Sequence, residues 1–471
     1  MVFSDQAFLF LFLPAALAVC IALWRTRLGL TAVLITSLIF FYWESGWFTL
    51  LFIANVLLNF TGGILLETYR KRRLLIGLVA ANLAILFFFK YAAFFLGSIG
   101  FVGDSRLGQL AGSIILPIGI SFYTFQGLSY LIDVWRGDVA PERNIIRFGA
   151  YKSFFPVLIA GPIIRYRDVK ADFVEPKVSV DHFAAGAARF VVGLGKKIII
   201  ADTVAAIAAV AFDPSLQSVT FATAWLGVLA YAVQLYFDFS GYSDMAIGLA
   251  LMLGVRIPEN FNHPYASSSL TEFWRRWHIS LSQWFRDYVY VPLGGNRHGD
   301  ATTYMNLLLV FAATGLWHGA AWTFVLWGLY HGALIVGERV VLGHRINQPS
   351  PLRRILYFFP AVLFGWAIFN APDMDTATRL ISAMFAPLAD DAFTIRPEMR
   401  LALSPQAIAA FAIGLASLTM QGLLSPTGPA IEHVTSLRGK FARAALVGAG
   451  SFACALFVLP QNFSPFLYFR F

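Results

Sequence analysis

His318 is the residue whose setting points most directly to chemistry. It lies in Gly315-Leu316-Trp317-His318-Gly319, within an apolar run from Leu307 to Tyr330. That run holds no other ionisable side chain except the Tyr330 phenol. Read as one crossing helix, it puts His318 at its midpoint, near mid-membrane. An ionisable group at that depth is costly and marks function by default. Imidazole takes and returns a proton near neutral pH, which suits a general base. The other reading is a neutral histidine that bridges helices through hydrogen bonds. On the same straight helix His331 falls on a different face, roughly 20 Å away, and is expected to pack or to face water.

A second histidine, His278, sits in a segment with helical rhythm. Apolar residues fall at 270, 273, 274, 277, 281, 284, 285 and 288, the spacing of an amphipathic helix over Phe273 to Tyr288. Arg275, Arg276, Gln283, Arg286 and Asp287 take the other side. His278 falls on the apolar stripe, where a polar group needs a partner. It is either a site residue or a satisfied core histidine. Asn260 to Tyr265 and Pro292 to Arg297 flank it as turn-rich loops.

Asp238 and Asp244, in Tyr236-Phe237-Asp238-Phe239-Ser240-Gly241-Tyr242-Ser243-Asp244, are acids inside an apolar run. They line a hydrated cavity or hold helices together; the sequence leaves both open. His263 and His298 are loop residues, and His182, His344 and His433 read as peripheral. The histidines show no metal-site spacing. Cys20 and Cys454 sit in separate apolar runs with no His or Lys beside them, so both read as core residues. Gly294-Gly295 matches no phosphate-binding pattern.

The elements that must position these residues are membrane helices. Of 471 residues, 58% are hydrophobic and 13% charged, and mean hydropathy is +0.68. Soluble domains carry about 25% charged residues, so lipid is the expected solvent. At about 20 apolar residues per span, about 11 spans or re-entrant segments fit. Met1 to Leu96 reads as four spans, and the first, Ala7 to Leu23, as a retained span rather than a signal peptide. Gly100 to Gly108 reads as an outer loop. Phe154 to Ile164, broken by Pro156, Gly161 and Pro162, reads as re-entrant, because irregular backbone at membrane depth must be buried in protein or line a cavity. An interfacial helix is expected to end at Lys196-Lys197 and a span to begin at Ile198. Further spans are expected at Leu116 to Trp135, Phe221 to Val255, Ile355 to Ile368, Ala407 to Leu424 and Ala445 to Leu459.

The net charge of +9 gathers in loops such as Arg70 to Arg73, Arg136 to Arg147 and Arg353-Arg354. The stretch Ala371 to Thr394 instead holds Asp373, Asp375, Asp390 and Asp391. The positive-inside rule sets the basic loops in the cytoplasm, and the acidic loop and the N-terminus outside. A basic inner face also favours an anionic cytosolic ligand such as coenzyme A.

Taken together, Phe273 to Tyr288, Leu293-Gly294-Gly295-Asn296-Arg297 and Gly315 to Gly319 resemble the membrane-bound O-acyltransferase family, in particular its bacterial polysaccharide branch. Tyr236 to Asp244, Leu116 to Tyr123 and Ser464 to Phe469 strengthen the likeness, which spans nearly the whole chain. The resemblance implies an all-α polytopic membrane protein, a ring of helices around a central funnel. It implies one domain over 1–471, with N-terminal spans at 1–100, a catalytic core at 110–345 and C-terminal spans at 350–471. The family's invariant histidine matches His318, and its second functional position matches His278. The expected reaction moves acetyl from cytosolic acetyl-coenzyme A, as substrate rather than resident cofactor, across the bacterial inner membrane. Periplasmic partner proteins and a polysaccharide acceptor, alginate-like, complete the expectation. A related possibility is D-alanyl transfer to teichoic acid from a carrier protein. A different class is a proton-coupled transporter or export scaffold, although the inverted repeats common in transporters are not evident.

Overall fold

The computed structural model describes residues 3–24, 26–99, 112, 114–216, 218–421, 437–459 and 466–467. The regular elements among them are helical, and the extended contact is an isolated antiparallel bridge, Phe261 to Trp277. The helices are α1 (Leu13–Leu23), α2 (Gly29–Ser45), α3 (Phe48–Tyr69), α4 (Arg72–Lys90) and α5 (Ala92–Ser98). Then come α6 (Ile120–Arg136), α7 (Ile145–Ser153), α8 (Tyr166–Val174), α9 (Val180–Gly195), α10 (Asp202–Ala211) and α11 (Phe221–Met252). Next are α12 (Leu270–Arg276), α13 (Ile279–Phe285), α14 (Asp300–His318), α15 (Trp322–Leu342) and α16 (Phe359–Asn370), the last led in by helical turns from Pro351. The chain ends with α17 (Met374–Met384), α18 (Pro397–Ala402), α19 (Pro405–Met420) and α20 (Leu437–Val458). Among the described residues five helices are long and apolar enough to cross a membrane: Phe48–Tyr69, Arg72–Lys90, Trp322–Leu342, Pro351–Asn370 and Gly439–Val458. Shorter apolar helices lie at Phe8–Leu23, Gly29–Ser45 and Pro405–Met420. The expected outer loop Gly100 to Gly108, His433, the His344 side chain and Ser464-Pro465 lie outside the described residues.

The chain divides into two compact units. One comprises the described parts of Met1–Gly193, Tyr242–Glu259 and Ala430–Arg470. Here α3 and α4 are tied by amides rather than by apolar contact alone. Asn55 Nδ2 donates to Asn82 Oδ1 at 2.9 Å, and Asn82 Nδ2 donates to Asn59 Oδ1 at 3.2 Å. Between helices already in lipid, such hydrogen bonds and close packing replace the hydrophobic drive. Gly127 on α6 makes room for them, since a Cβ there would meet Asn59 Oδ1 at 2.7 Å. Residues 154–164 are non-helical and buried within this unit, in accord with a broken segment enclosed by protein. In the same unit, Glu142 accepts from the Tyr166 hydroxyl, from Arg147 at 3.1 Å and from the Asn144 N–H at 2.8 Å. Asp244 is paired with Arg189 at 3.1 Å, and the same guanidinium reaches Glu259.

The other unit comprises Leu194–Gly241 and Asn260–Pro429. Lys197 is buried and paired with Asp202 at 2.7 Å and Asp238 at 2.8 Å. That pairing corrects one expectation: no helix ends at Lys197. The helix runs on through a π turn, Lys196–Ala201, into α10, because the ammonium is neutralised internally and needs no interface. It also answers the question left open for the two acids: both hold helices together. The acidic stretch 371–394 is not all loop, since Asp373 caps α17 by accepting the Thr376 N–H at 2.7 Å.

The largest correction concerns the run from Leu307 to Tyr330. It is two helices, α14 and α15, broken at residues 319–321 and folded back as an antiparallel hairpin. Small residues permit the fold. A Cβ on Gly315 would collide with the Phe324 carbonyl, and one on Gly328 with the Phe311 carbonyl. His318 is therefore the last residue of α14, at a chain reversal, and not the midpoint of one span.

Candidate active site

His278 also stands at a break. The expected helix from Phe273 to Tyr288 is split into α12 and α13, and His278 between them takes a left-handed backbone, φ 45° and ψ 54°. The reason is a competing partner for the backbone. The Asn262 N–H donates to the Arg276 carbonyl at 2.9 Å, and the Ile279 N–H to the Asn260 carbonyl at 3.0 Å. These bonds draw residues 276–279 into the bridge with 260–262 and end the first helix. A left-handed L-residue costs roughly 1–2 kcal/mol, and such strain collects at functional sites. At the far end of α12, the buried Glu338 carboxylate of α15 accepts from the Leu270 N–H at 2.5 Å and the Thr271 N–H at 2.9 Å. Those are two of the N–H groups a helix start leaves without intrahelical partners.

The two candidate imidazoles are brought together. His278 is fully buried and His318 is 3% exposed. Both rings lie edge-on to the indole of Trp317, at centroid distances of 5.9 Å for His278 and 4.9 Å for His318. Phe239 closes on His278 at 4.7 Å. Trp327 and Phe369 close on His318 at 5.2 and 5.1 Å. His278 Nδ1 lies 3.1 Å from Asn260 Oδ1. The site is thus two imidazoles in an aromatic box, held by two helix breaks.

His331 packs, one of the two outcomes expected of it, but not on a remote face. The α14–α15 reversal carries it back, and its buried ring packs on Trp327 at 5.1 Å and Trp274 at 5.3 Å. It shares Trp327 with His318 instead of lying on a remote face. In the first unit His182 is half-buried and its Nδ1 lies 2.7 Å from the Lys177 carbonyl; in the other unit the His298 ring lies over Gly294. His263 lines a polar cavity of about 320 Å³ with Ser268, Glu272, Arg276, Arg354 and Gln421. Burial, then Arg276 and Lys196, hold its imidazole pKa below the usual histidine range. Both cysteines are buried, as expected of core residues. Among the described residues no group of three or more His, Cys, Asp or Glu side chains is placed to hold a metal ion. Asn260 and Glu338 were not foreseen. One stood in a turn-rich loop and the other near the end of an apolar run, and neither carries a pattern that spacing alone reveals.

Residues 140–372, which contain both helix breaks and His278, His318 and His331, match the model of the membrane-bound O-acyltransferase family. The chain is 42% identical to the probable alginate O-acetylase of Azotobacter vinelandii, over the full length of both. The chain belongs to the membrane-bound O-acyltransferase family. The probable alginate O-acetylase of Pseudomonas aeruginosa is 46% identical over 82% of this chain and 75% of its own length. The peptidoglycan O-acetyltransferase of Helicobacter pylori is 33% identical over 82% of this chain and 80% of its own length. This acyltransferase is accordingly a multi-pass membrane enzyme that uses an acyl donor.

Proposed function

We propose that this enzyme takes acetyl from cytosolic acetyl-coenzyme A and passes it across the bacterial inner membrane for O-acetylation of an exported, alginate-like polysaccharide. The observation that carries the reading is the pairing of His278 and His318 on one indole inside a helical core. In the proposed architecture about 11 spanning and re-entrant helices form a single domain around a central funnel, with the N-terminus in the periplasm. His318 takes the proton of the attacking hydroxyl as its oxygen bonds to the thioester carbonyl carbon. The carbon–sulfur bond then breaks, and the proton passes from His318 to the departing thiolate. His278 orients the reacting oxygen. No serine or cysteine is nominated as an acyl carrier; the Ser280 hydroxyl donates to Asn260 Oδ1 at 2.8 Å. The cavity bordered by Arg276 and Arg354 suits the donor's phosphates. Periplasmic partner proteins complete delivery to the sugar.

The test is His318→Ala in cells that make the polymer, with membrane expression confirmed. Loss of acetyl ester on the exported glycan is expected, and undiminished ester removes the catalytic assignment. Supplying purified enzyme with acetyl-coenzyme A or with a D-alanyl carrier protein separates the acetyl reading from D-alanyl transfer. Solute flux without ester formation would mark a transporter.

A further inference from the structure

We infer that Asn260 fixes His278 in a single neutral tautomer, protonated on Nδ1, so that its Nε2 edge meets the reacting oxygen as a hydrogen-bond acceptor. The inference rests on the role proposed for His278 and sharpens it. Asn260 is fully buried, and its Oδ1 is met by His278 Nδ1 at 3.1 Å, Ser280 Oγ at 2.8 Å and the Ser280 backbone nitrogen at 3.3 Å. The backbone N–H can only donate. The amide atom that faces it must therefore be the oxygen and not the NH2 group, which removes the usual ambiguity of an amide flip. An amide oxygen can only accept. His278 Nδ1 must then carry the proton, and a neutral imidazole so protonated keeps its lone pair on Nε2.

The surroundings make the arrangement rigid. The bridge between 260–262 and 276–279 sets the two backbones, and the left-handed φ of His278 turns its side chain towards Asn260. The consequence is a division of labour. A neutral His278 of this tautomer cannot donate from Nε2 to an oxygen gaining negative charge, so it is not an oxyanion donor. It can accept from the attacking hydroxyl and hold it while the proton leaves to His318. Asn260 is thus a positioning residue, in the way that outer partners fix the orientation and tautomer of functional histidines.

The experiment uses full-length enzyme in lipid, labelled with 15N-histidine, and solid-state NMR. The His278 signals are assigned by their loss in His278→Gln. Wild type is expected to show Nδ1 protonated and Nε2 bare; the opposite pattern overturns the inference. Asn260→Leu removes the acceptor at similar size, and is expected to mix the tautomers. With acetyl-coenzyme A as donor its kcat should fall about 10- to 100-fold with the donor KM unchanged. Asn260→Asp restores an acceptor oxygen, and is expected to recover the Nδ1–H signal and part of the rate. A Leu variant with wild-type spectrum and wild-type kcat refutes the proposal. If that variant does not fold, the wild-type and Asp spectra still decide. Full acyl transfer by His278→Gln would instead sink the proposed role of His278. An inactive Gln variant alongside a wild-type Nε2–H spectrum would sink only the tautomer.

Discussion

His318 and His331 pack against the same indole, that of Trp327, at 5.2 and 5.1 Å, although they lie on different helices. A straight helix would hold them roughly 20 Å apart. The reversal at 319–321 closes that gap, and the hairpin is consequently part of the site. Gly328 should be its weak point. Gly328→Ala drives a Cβ into the Phe311 carbonyl, whereas Gly337 on the same helix has open space around it. Gly328→Ala is expected to destabilise by about 1–3 kcal/mol and to lower acyl transfer. Gly337→Ala should be neutral or slightly stabilising. Melting temperature in detergent and ester formation, measured side by side, check the contrast; equal effects would remove the hairpin's claimed role.

The backbone at His278 allows its strain to be separated from its chemistry. Both His278→Ala and His278→Gly remove the imidazole, but only glycine relaxes at φ 45°. The Gly variant should be more stable than the Ala variant by about 1 kcal/mol, the reverse of the order within a helix. Both should lose acyl transfer. Thermal melts of the two variants read this directly, and an Ala variant as stable as the Gly variant contradicts it.

Glu338 should matter to a helix that it does not belong to. Glu338→Ala leaves the buried Leu270 N–H and the half-buried Thr271 N–H without their acceptor, which predicts a loss of about 2–4 kcal/mol. Glu338→Gln keeps one oxygen but presents an NH2 group to the other donor, so its cost should be intermediate. Denaturation midpoints of the three proteins give the ranking; a Gln variant worse than Ala would rule out capping.

Acid should weaken the first unit through Glu142. Burial alone would raise its carboxyl pKa, but hydrogen bonds from Tyr166, the Asn144 N–H and Arg147 outweigh it, and the net shift is downward. Stability from this group is therefore complete above the unfolded value of about 4.3 and is lost as pH falls through the folded one. Glu142→Gln should melt lower at pH 7 and show a flatter pH dependence between about pH 5 and 3. Parallel slopes for the two proteins would exclude Glu142 as the source.

Composition made the helical membrane class legible, and the isolation of His318 in apolar sequence singled it out. The length of the apolar runs placed α11 and α19 closely. Local pattern failed where a long-range partner overrode it. At His278 the rhythm of the apolar stripe continues unbroken, and the helix ends because residues 260–262 take over its backbone bonds. At His318 nothing in the run resembles a turn apart from Gly319, and the break is decided by glycines that only meet once the hairpin has closed. At Lys197 charge suggested an interface, but Asp202 and Asp238 supply a counter-charge from within the protein. Asn260 was invisible for the same reason: its partners lie across the bridge, not along the sequence.

The asparagine cluster of the first unit bears on how the protein is made. Every hydrogen bond from the Asn55, Asn59 and Asn82 side-chain amides ends within α3 or α4. Nothing synthesised after Lys90 is required to complete that set. As the chain leaves the ribosome, these two spans can enter the bilayer as a finished pair and wait there for α6 to dock through Gly127. A substitution that orphaned one amide would then be felt during biogenesis, as a failure to insert, before any enzyme existed to be assayed.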